Sequence, residues 1–369
     1  MFADCYKGKR VFLTGHTGFK GSWLAAWLTS LGATVCGYAD TVPTTPAHFV
    51  AMGLGGHVRD LRGDIRDRDA VVRAMRDFRP DAVFHLAAQA LVRRSYDAPA
   101  ATFEANVMGT LNVLEGIRAC PSVRAGVFIT SDKCYRNDEW VWGYRETDAL
   151  GGADPYSASK GCAEIVAHSY FDSFFRDGGP ACATTRAGNV IGGGDWAQDR
   201  IVPDCARAWA AGEPVRIRSP LATRPWQHVL EPLSGYLWLG AYLLGARRGP
   251  FPVRGEAYNF GPAADVNNTV AEVVEALAAF WPGFRSEMDT GGQAGMKECT
   301  LLKLCCDKAL AHLGWRATLT FAETIRHTAE WYREFYAART SPAAVLALTL
   351  SQIADYAATA GERGMAWTI

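Results

Sequence analysis

Between residues 10 and 186, short apolar runs alternate with helix-length patterns, and this alternation narrows the fold more than any other feature. β-Rich runs fall at 10–14 (RVFLT), 34–38 (TVCGY), 57–65 (HVRDLRGDI), 81–88 (DAVFHLAA), 126–130 (GVFIT) and 181–186 (ACATTR). Helical patterns stand between them at 19–31, 67–78, 101–119 and 155–175. Parallel strands need long crossovers whereas antiparallel ones need only tight turns, so this spacing calls for a parallel sheet. Right-handed crossovers then place helices on both faces, and the expected fold is α/β with a doubly wound sheet. In the first helix Trp23, Leu24, Trp27, Leu28 and Leu31 fall on one face, and Gly32 ends it.

After Asn189 the rhythm breaks. The stretches 192–196, 218–226 and 259–268 are loop-rich, and a helical pattern returns at 269–281. The expected division is a first domain over 1–188, with a later contribution near 225–260, and a smaller lobe over 189–369. That lobe ends in a helical tail at 341–369, packed on the body or on a neighbour. The 369 residues can bury a large core, and 38 basic residues balance 38 acidic ones. Zero net charge argues against nucleic acid or an anionic membrane as partner, so an anionic ligand must be met by local groups. No uninterrupted apolar stretch approaches the roughly 20 residues of a membrane span, and the N-terminal ten residues lack the apolar centre of a secretory signal. Ten cysteines are scattered without a CxxC pair. They read as free thiols in a reducing cytoplasm, and no metal site is expected.

Three motifs carry chemistry. TGHTGFKG (14–21) sets Gly15, Gly18 and Gly21 between the first strand and helix, where backbone N–H groups can approach a pyrophosphate at the helix N-terminus. This makes the sheet a Rossmann-type dinucleotide fold. Asp40, 19 residues past Gly21, is placed either to accept from a ribose, favouring NAD, or to shape a turn. Asp64 reads equally as an adenine contact or a helix cap. In YSASK (156–160), Tyr156 and Lys160 share a helical face, and an ammonium beside a phenol stabilises the phenolate as a base. Finally, TSDK (130–133) ends a strand with Ser131, Asp132 and Lys133, either a loop ion pair or a second acid–base set.

Together these residues resemble the extended short-chain dehydrogenase/reductases that act on nucleotide sugars. The segments 11–24, 85–96, 130–148, 186–204 and 224–237 are similar to the CDP-glucose 4,6-dehydratases, and the similarity runs across most of residues 8–335. Ala90 stands where that family usually has proline. The resemblance implies NAD as cofactor, oxidation at carbon 4, loss of water across carbons 5 and 6, and return of hydride to carbon 6. It assigns Tyr156, Lys160 and Ser131 to the redox step, with Asp132 the acid and Lys133 the base of elimination. Two rivals are an epimerase or dehydratase for another nucleotide sugar and a non-catalytic dinucleotide sensor. The resemblance extends the cofactor set to Thr17, Phe19, Lys20, Ile65, Leu86, Ala87, Ala88, Gln89 and Asn106. It places Asn189 and Arg224 on the substrate diphosphate, with Arg93, Val202, Arg218, Gln227, His228 and Glu298 as further substrate candidates. Relatives pair through helices matching 101–119 and 155–175, so a cytoplasmic homodimer or larger homo-oligomer is expected.

Overall fold

A computed structural model of the chain describes residues 1–288, 301–337 and 341–369. Seven parallel strands form one sheet: β1 (Arg10–Thr14), β2 (Thr34–Ala39), β3 (Arg59–Arg62), β4 (Ala82–His85), β5 (Ala125–Ile129), β6 (Ala181–Ala187) and β7 (Ala257–Phe260). Their order is β7-β6-β5-β4-β1-β2-β3, so the direction of winding reverses between β1 and β4. A crevice opens beyond the carboxyl ends of the strands at such a reversal, which is where doubly wound sheets bind ligands. The registers Thr14↔Tyr38 and Thr14↔His85 bring the tips of β1, β2 and β4 level there.

Helix α1 (Phe19–Ser30) is buried over the whole of Gly21–Leu28, not only along the stripe that its apolar spacing suggests. The reason lies at the other end of the chain. The C-terminal helix α8 (Pro342–Glu362) lies across α1, and Trp27 meets Tyr356 and Trp367 edge-on, each with ring centroids 5.9 Å apart. Trp367 in turn stacks on Phe2, and the Ala3 N–H donates to the Ile369 carbonyl, so the two termini close over the same core. Among the described residues α8 is the one helix long and apolar enough to cross a bilayer, but here its Val345, Ile353, Tyr356 and Ala360 are buried.

Six more helices frame the site. α2 (Arg68–Phe78) is capped by Asp67, whose side chain accepts from Ala70 N–H, and α3 (Gly109–Arg118) continues from the turns at Pro99–Phe103. Asp154 caps α4 (Pro155–Tyr170), accepting from the N–H and the hydroxyl of Ser157, and Pro155 occupies the first helical position. That cap fixes where Tyr156 leaves the helix. α5 (Ile201–Ala210), α6 (Leu230–Leu243) and α7 (Phe321–Ala337) follow. α6 is buried on nearly every side and leads to β7, which pairs with β6 and returns the chain to the main sheet. Small pairings at Val190–Ile191 with Gln227–His228, and at Val215–Ile217 with Ser286–Met288, build the second lobe.

Candidate active site

The turn after β1 is shaped for a close-approaching ligand. Gly15 adopts φ +75°, and a Cβ there would stand 2.7 Å from Ala87 N. A Cβ on Gly21 would lie 2.0 Å from the Gly15 carbonyl oxygen, so the start of α1 can sit this close to the strand only with glycine. Gly18 begins α1 with no side-chain cap, leaving the first N–H groups of the helix facing the crevice. Opposite, the β4 exit is pinned: Leu86 and Ala87 N–H donate to Thr14 Oγ1, and Asn106 braces Gln89 through its N–H and carbonyl. Ala88 completes that exit. Thr17 hydrogen-bonds the Thr41 carbonyl, and Ile65 packs beneath Gly109. The bare amides and the cradle that side chains would fill suit a dinucleotide pyrophosphate.

The two acids left open by the sequence take different surroundings. Asp40 is exposed just past β2; its Oδ1 accepts from the Thr41 N–H and hydroxyl, and its charge acts on Arg66. Asp64 is clamped by Arg66, which holds its carboxyl below the usual range. The cap of α2 is Asp67, not Asp64.

At the tip of β5, Ser131 Oγ donates to Asp132 Oδ1 at 2.9 Å and accepts from the Lys133 N–H. Asp132 is 3% exposed, and among the described residues its Oδ2 has no hydrogen-bond partner. Burial raises its pKa against the pull of Lys133, the Ser131 hydrogen bond and Lys20. Tyr156 and Lys160 project from the first turns of α4, both buried. Burial pushes the phenol up to about 12, while the neighbouring Ser131 and the charge of Arg200 work downward. Burial, then the neighbouring Lys20, brings Lys160 down to about 8. Lys20 is itself lowered to about 8 by burial and Arg200, with Asp132 opposing. Phenol, carboxyl and ammonium groups therefore sense one another at one end of the sheet. Lys133 is half-buried beside Asp132.

Sequence reasoning missed three contributors. Arg200, just before α5, is ion-paired to Asp195 at 2.8 Å and acts on both Tyr156 and Lys20. Tyr236 of α6 lies buried where Asp132 and Tyr156 act on it. Asp199 joins Arg218 (2.6 Å) to Arg93 (3.2 Å), tying two substrate candidates together. No local pattern around Arg200, Asp199 or Tyr236 marks them, because their neighbours come from distant segments.

The remaining substrate candidates divide. Arg224 pairs in register with Asn268, and the Asn189 carbonyl accepts from Gln227 N–H. Val202 is buried at the start of α5. Gln227 is buried and braces β7 by donating to the Phe260 carbonyl. His228 is wholly buried, with Trp23 at 6.0 Å and His327 at 5.7 Å between ring centroids. Glu298 lies outside the described residues.

A doubly wound sheet with a glycine cradle at its reversal and a Ser–Tyr–Lys set beside it defines a dinucleotide-binding protein of the short-chain dehydrogenase type. A family model described as GDP-mannose 4,6 dehydratase matches residues 12–238, and the chain belongs to that family. It is 46% identical over 335 residues to a CDP-glucose 4,6-dehydratase of Salmonella typhimurium, covering 89% of this chain and 91% of that protein. Among solved structures it resembles a dTDP-glucose 4,6-dehydratase double mutant from Streptomyces venezuelae with NAD bound, at TM-score 0.72 and 26% identity over 88% of this chain and 97% of that one. It also resembles a Thermus thermophilus UDP-glucose 4-epimerase complexed with NAD, at TM-score 0.71 and 27% identity over 88% and 99%.

Proposed function

We propose that the protein is a hydro-lyase that converts CDP-glucose to CDP-4-keto-6-deoxyglucose with NAD as a regenerated cofactor. The observation that carries this reading is Asp132, a buried carboxyl joined to Ser131, acting on Tyr156, and with one oxygen unpartnered among the described residues. An epimerase has no use for such an acid, because it only removes and returns a hydride at one carbon. The 46% identity to a CDP-glucose dehydratase supports the choice of nucleotide.

Gly15, Thr17, Gly18, Phe19, Lys20 and Gly21 would hold the pyrophosphate side of NAD, with Asp40 at the ribose and 86–89 beneath the ring. When bound, NAD accepts hydride from carbon 4, returns it to carbon 6 and brings the positive charge of its nicotinamide to the site. Tyr156, beside Ser131, takes the proton of the 4-hydroxyl; the charge of Arg200 favours its phenolate, and the Lys160 ammonium, one turn along the same helix, would add to that. The resulting ketone acidifies the proton on carbon 5. Lys133, half-buried beside Asp132, removes that proton as its neutral amine. Asp132, which burial keeps protonated to higher pH than an exposed aspartate, protonates the departing 6-hydroxyl. Arg93, Arg218, Arg224 and Asn189 would face the substrate diphosphate.

We also infer a cytoplasmic homodimer. Tyr96, Phe103, Met108, Ile165 and Phe174 are large apolar side chains left exposed on the helices around 92–118 and 155–175. The test of the acid–base assignment is Lys133→Ala. With CDP-glucose it should still reduce bound NAD, seen by stopped-flow absorbance, yet release no 4-keto-6-deoxy product. Normal product release by this variant would defeat the assignment.

A further inference from the structure

Asp199 holds two arginines that the proposed reaction needs for its substrate. Its Oδ1 accepts from Arg218 Nη1 at 2.6 Å and from Arg93 Nη1 at 3.2 Å. The three residues come from three segments. Arg93 belongs to the helical turn Val92–Asp97 after β4, Asp199 to the loop before α5, and Arg218 follows the strand Val215–Ile217. One carboxylate oxygen thus offers two guanidinium groups the charge and the acceptor that a phosphate oxygen would offer.

Stability does not account for this contact. Asp199 is 44% exposed and the arginines 33% and 31%, and ion pairs this open to water add little to a fold. The backbone does not favour it either: Asp199 takes φ +64°, a left-handed conformation uncommon for any residue but glycine. The loop is held in that shape from behind. Asp195 accepts from Ala197 N–H at 3.0 Å and from Arg200 Nη1 at 2.8 Å, so the residues on both sides of Asp199 are tied to one carboxylate. α7 anchors the same loop, because Trp196 Nε1 donates to the Tyr336 hydroxyl at 3.0 Å and the Tyr332 hydroxyl donates to the Asp195 carbonyl. A braced loop therefore presents Asp199 to the arginines. Arg218 also has Asp204 Oδ2 at 3.9 Å, so it keeps one acid in reach when Asp199 is displaced.

We infer that Asp199 is an internal stand-in for the substrate diphosphate: it occupies Arg93 and Arg218 until the nucleotide sugar arrives, yields them to the phosphate oxygens, and so sets substrate affinity. This rests on the reading, proposed above, that Arg93 and Arg218 face the diphosphate. Substrate and product carry the same diphosphate, so grip on it is uniform binding, which holds both alike and does not lower the barrier between them. A competing carboxylate loosens that grip at no cost to the chemistry and takes the arginines back as product leaves.

The experiment uses the full-length protein with NAD and measures binding of CDP, and of cytidine as a control without phosphate, by calorimetry. Asparagine keeps the size of Asp199 and tolerates a left-handed backbone, so Asp199→Asn removes the charge alone. It should bind CDP about three- to tenfold more tightly, bind cytidine as wild type does, and lower the KM for CDP-glucose in parallel. In the Arg93→Gln/Arg218→Gln background, adding Asp199→Asn should no longer change CDP affinity. Unchanged or weaker CDP binding by Asp199→Asn would overturn the inference, as would a gain that persists when both arginines are neutral. The arginine double variant alone tests the underlying reading. If it weakens CDP binding while Asp199→Asn has no effect, only the stand-in role falls; if it binds CDP as wild type does, the arginines do not face the diphosphate and both fall.

Discussion

His48 makes acidification a quantitative test of the core. Its ring is 2% exposed, held between Ser22 Oγ of α1 and Thr349 Oγ1 of α8, with Trp23 and Trp331 against its faces and edges. Burial lowers its pKa from 6.5 to about 3. The sign follows from proton counting: below pH 6.5 the unfolded chain takes up a proton that the folded chain refuses until about pH 3, so stability falls with pH. At pH 5 that separation is about 1.5 units, or roughly 2 kcal/mol at 1.36 kcal/mol per unit, a sizeable part of a typical 5–15 kcal/mol fold. Other buried groups titrate in the same range. Glu231, raised to about 7 by burial, gains stability as pH falls, so the total change with pH is not diagnostic. The informative quantity is a difference between proteins. Urea unfolding at pH 7.5 and pH 5 should show wild type losing about 2 kcal/mol more than His48→Gln, whose amide can keep both hydroxyl contacts without titrating. Equal losses in the two proteins would mean that His48 takes its proton in the folded state, and the description of this core would be wrong.

Two further outcomes follow from packing. Gly21→Ala sets a Cβ 2.0 Å from a backbone oxygen, so α1 must move away from the cradle; NAD binding measured by calorimetry should weaken at least about tenfold, and unchanged affinity would contradict the cradle as the cofactor seat. Trp27→Ala removes a fully buried ring gripped by Tyr356 and Trp367 and should cost about 3–5 kcal/mol in urea unfolding, whereas a loss below about 1 kcal/mol would show that α8 is not a working part of the core.

What the sequence could reveal depended on how local each signal was. Strands and crossover helices could be read because each announces itself within a dozen residues, whereas the strand order, and with it the reversal between β1 and β4, came only from the structure. Tyr156 and Lys160 are neighbours on one turn, and Ser131 and Asp132 end a strand, so their convergence needed only the sheet. The second buried side of α1 could not be read, because the residues that cover it stand more than 300 positions away, as the His48–Thr349 bond illustrates. His228 could not be placed from the sequence: it looks like part of the site beside a diphosphate-binding candidate, and its burial against Trp23 comes from a helix about 200 positions earlier in the chain. Arg200 and Asp199 gain their meaning only from partners that the fold brings in.

The central claim is that one pocket oxidises carbon 4, expels the 6-hydroxyl and returns the same hydride to carbon 6. Supplying the protein and NAD with CDP-glucose carrying deuterium on carbon 4 tests all three steps together by mass spectrometry and proton NMR of the product. The account predicts a 4-keto-6-deoxy sugar lighter by one water, with the deuterium on carbon 6 and no net consumption of NAD. A product of unchanged mass, or a dehydrated sugar whose deuterium has been lost to solvent, would contradict it.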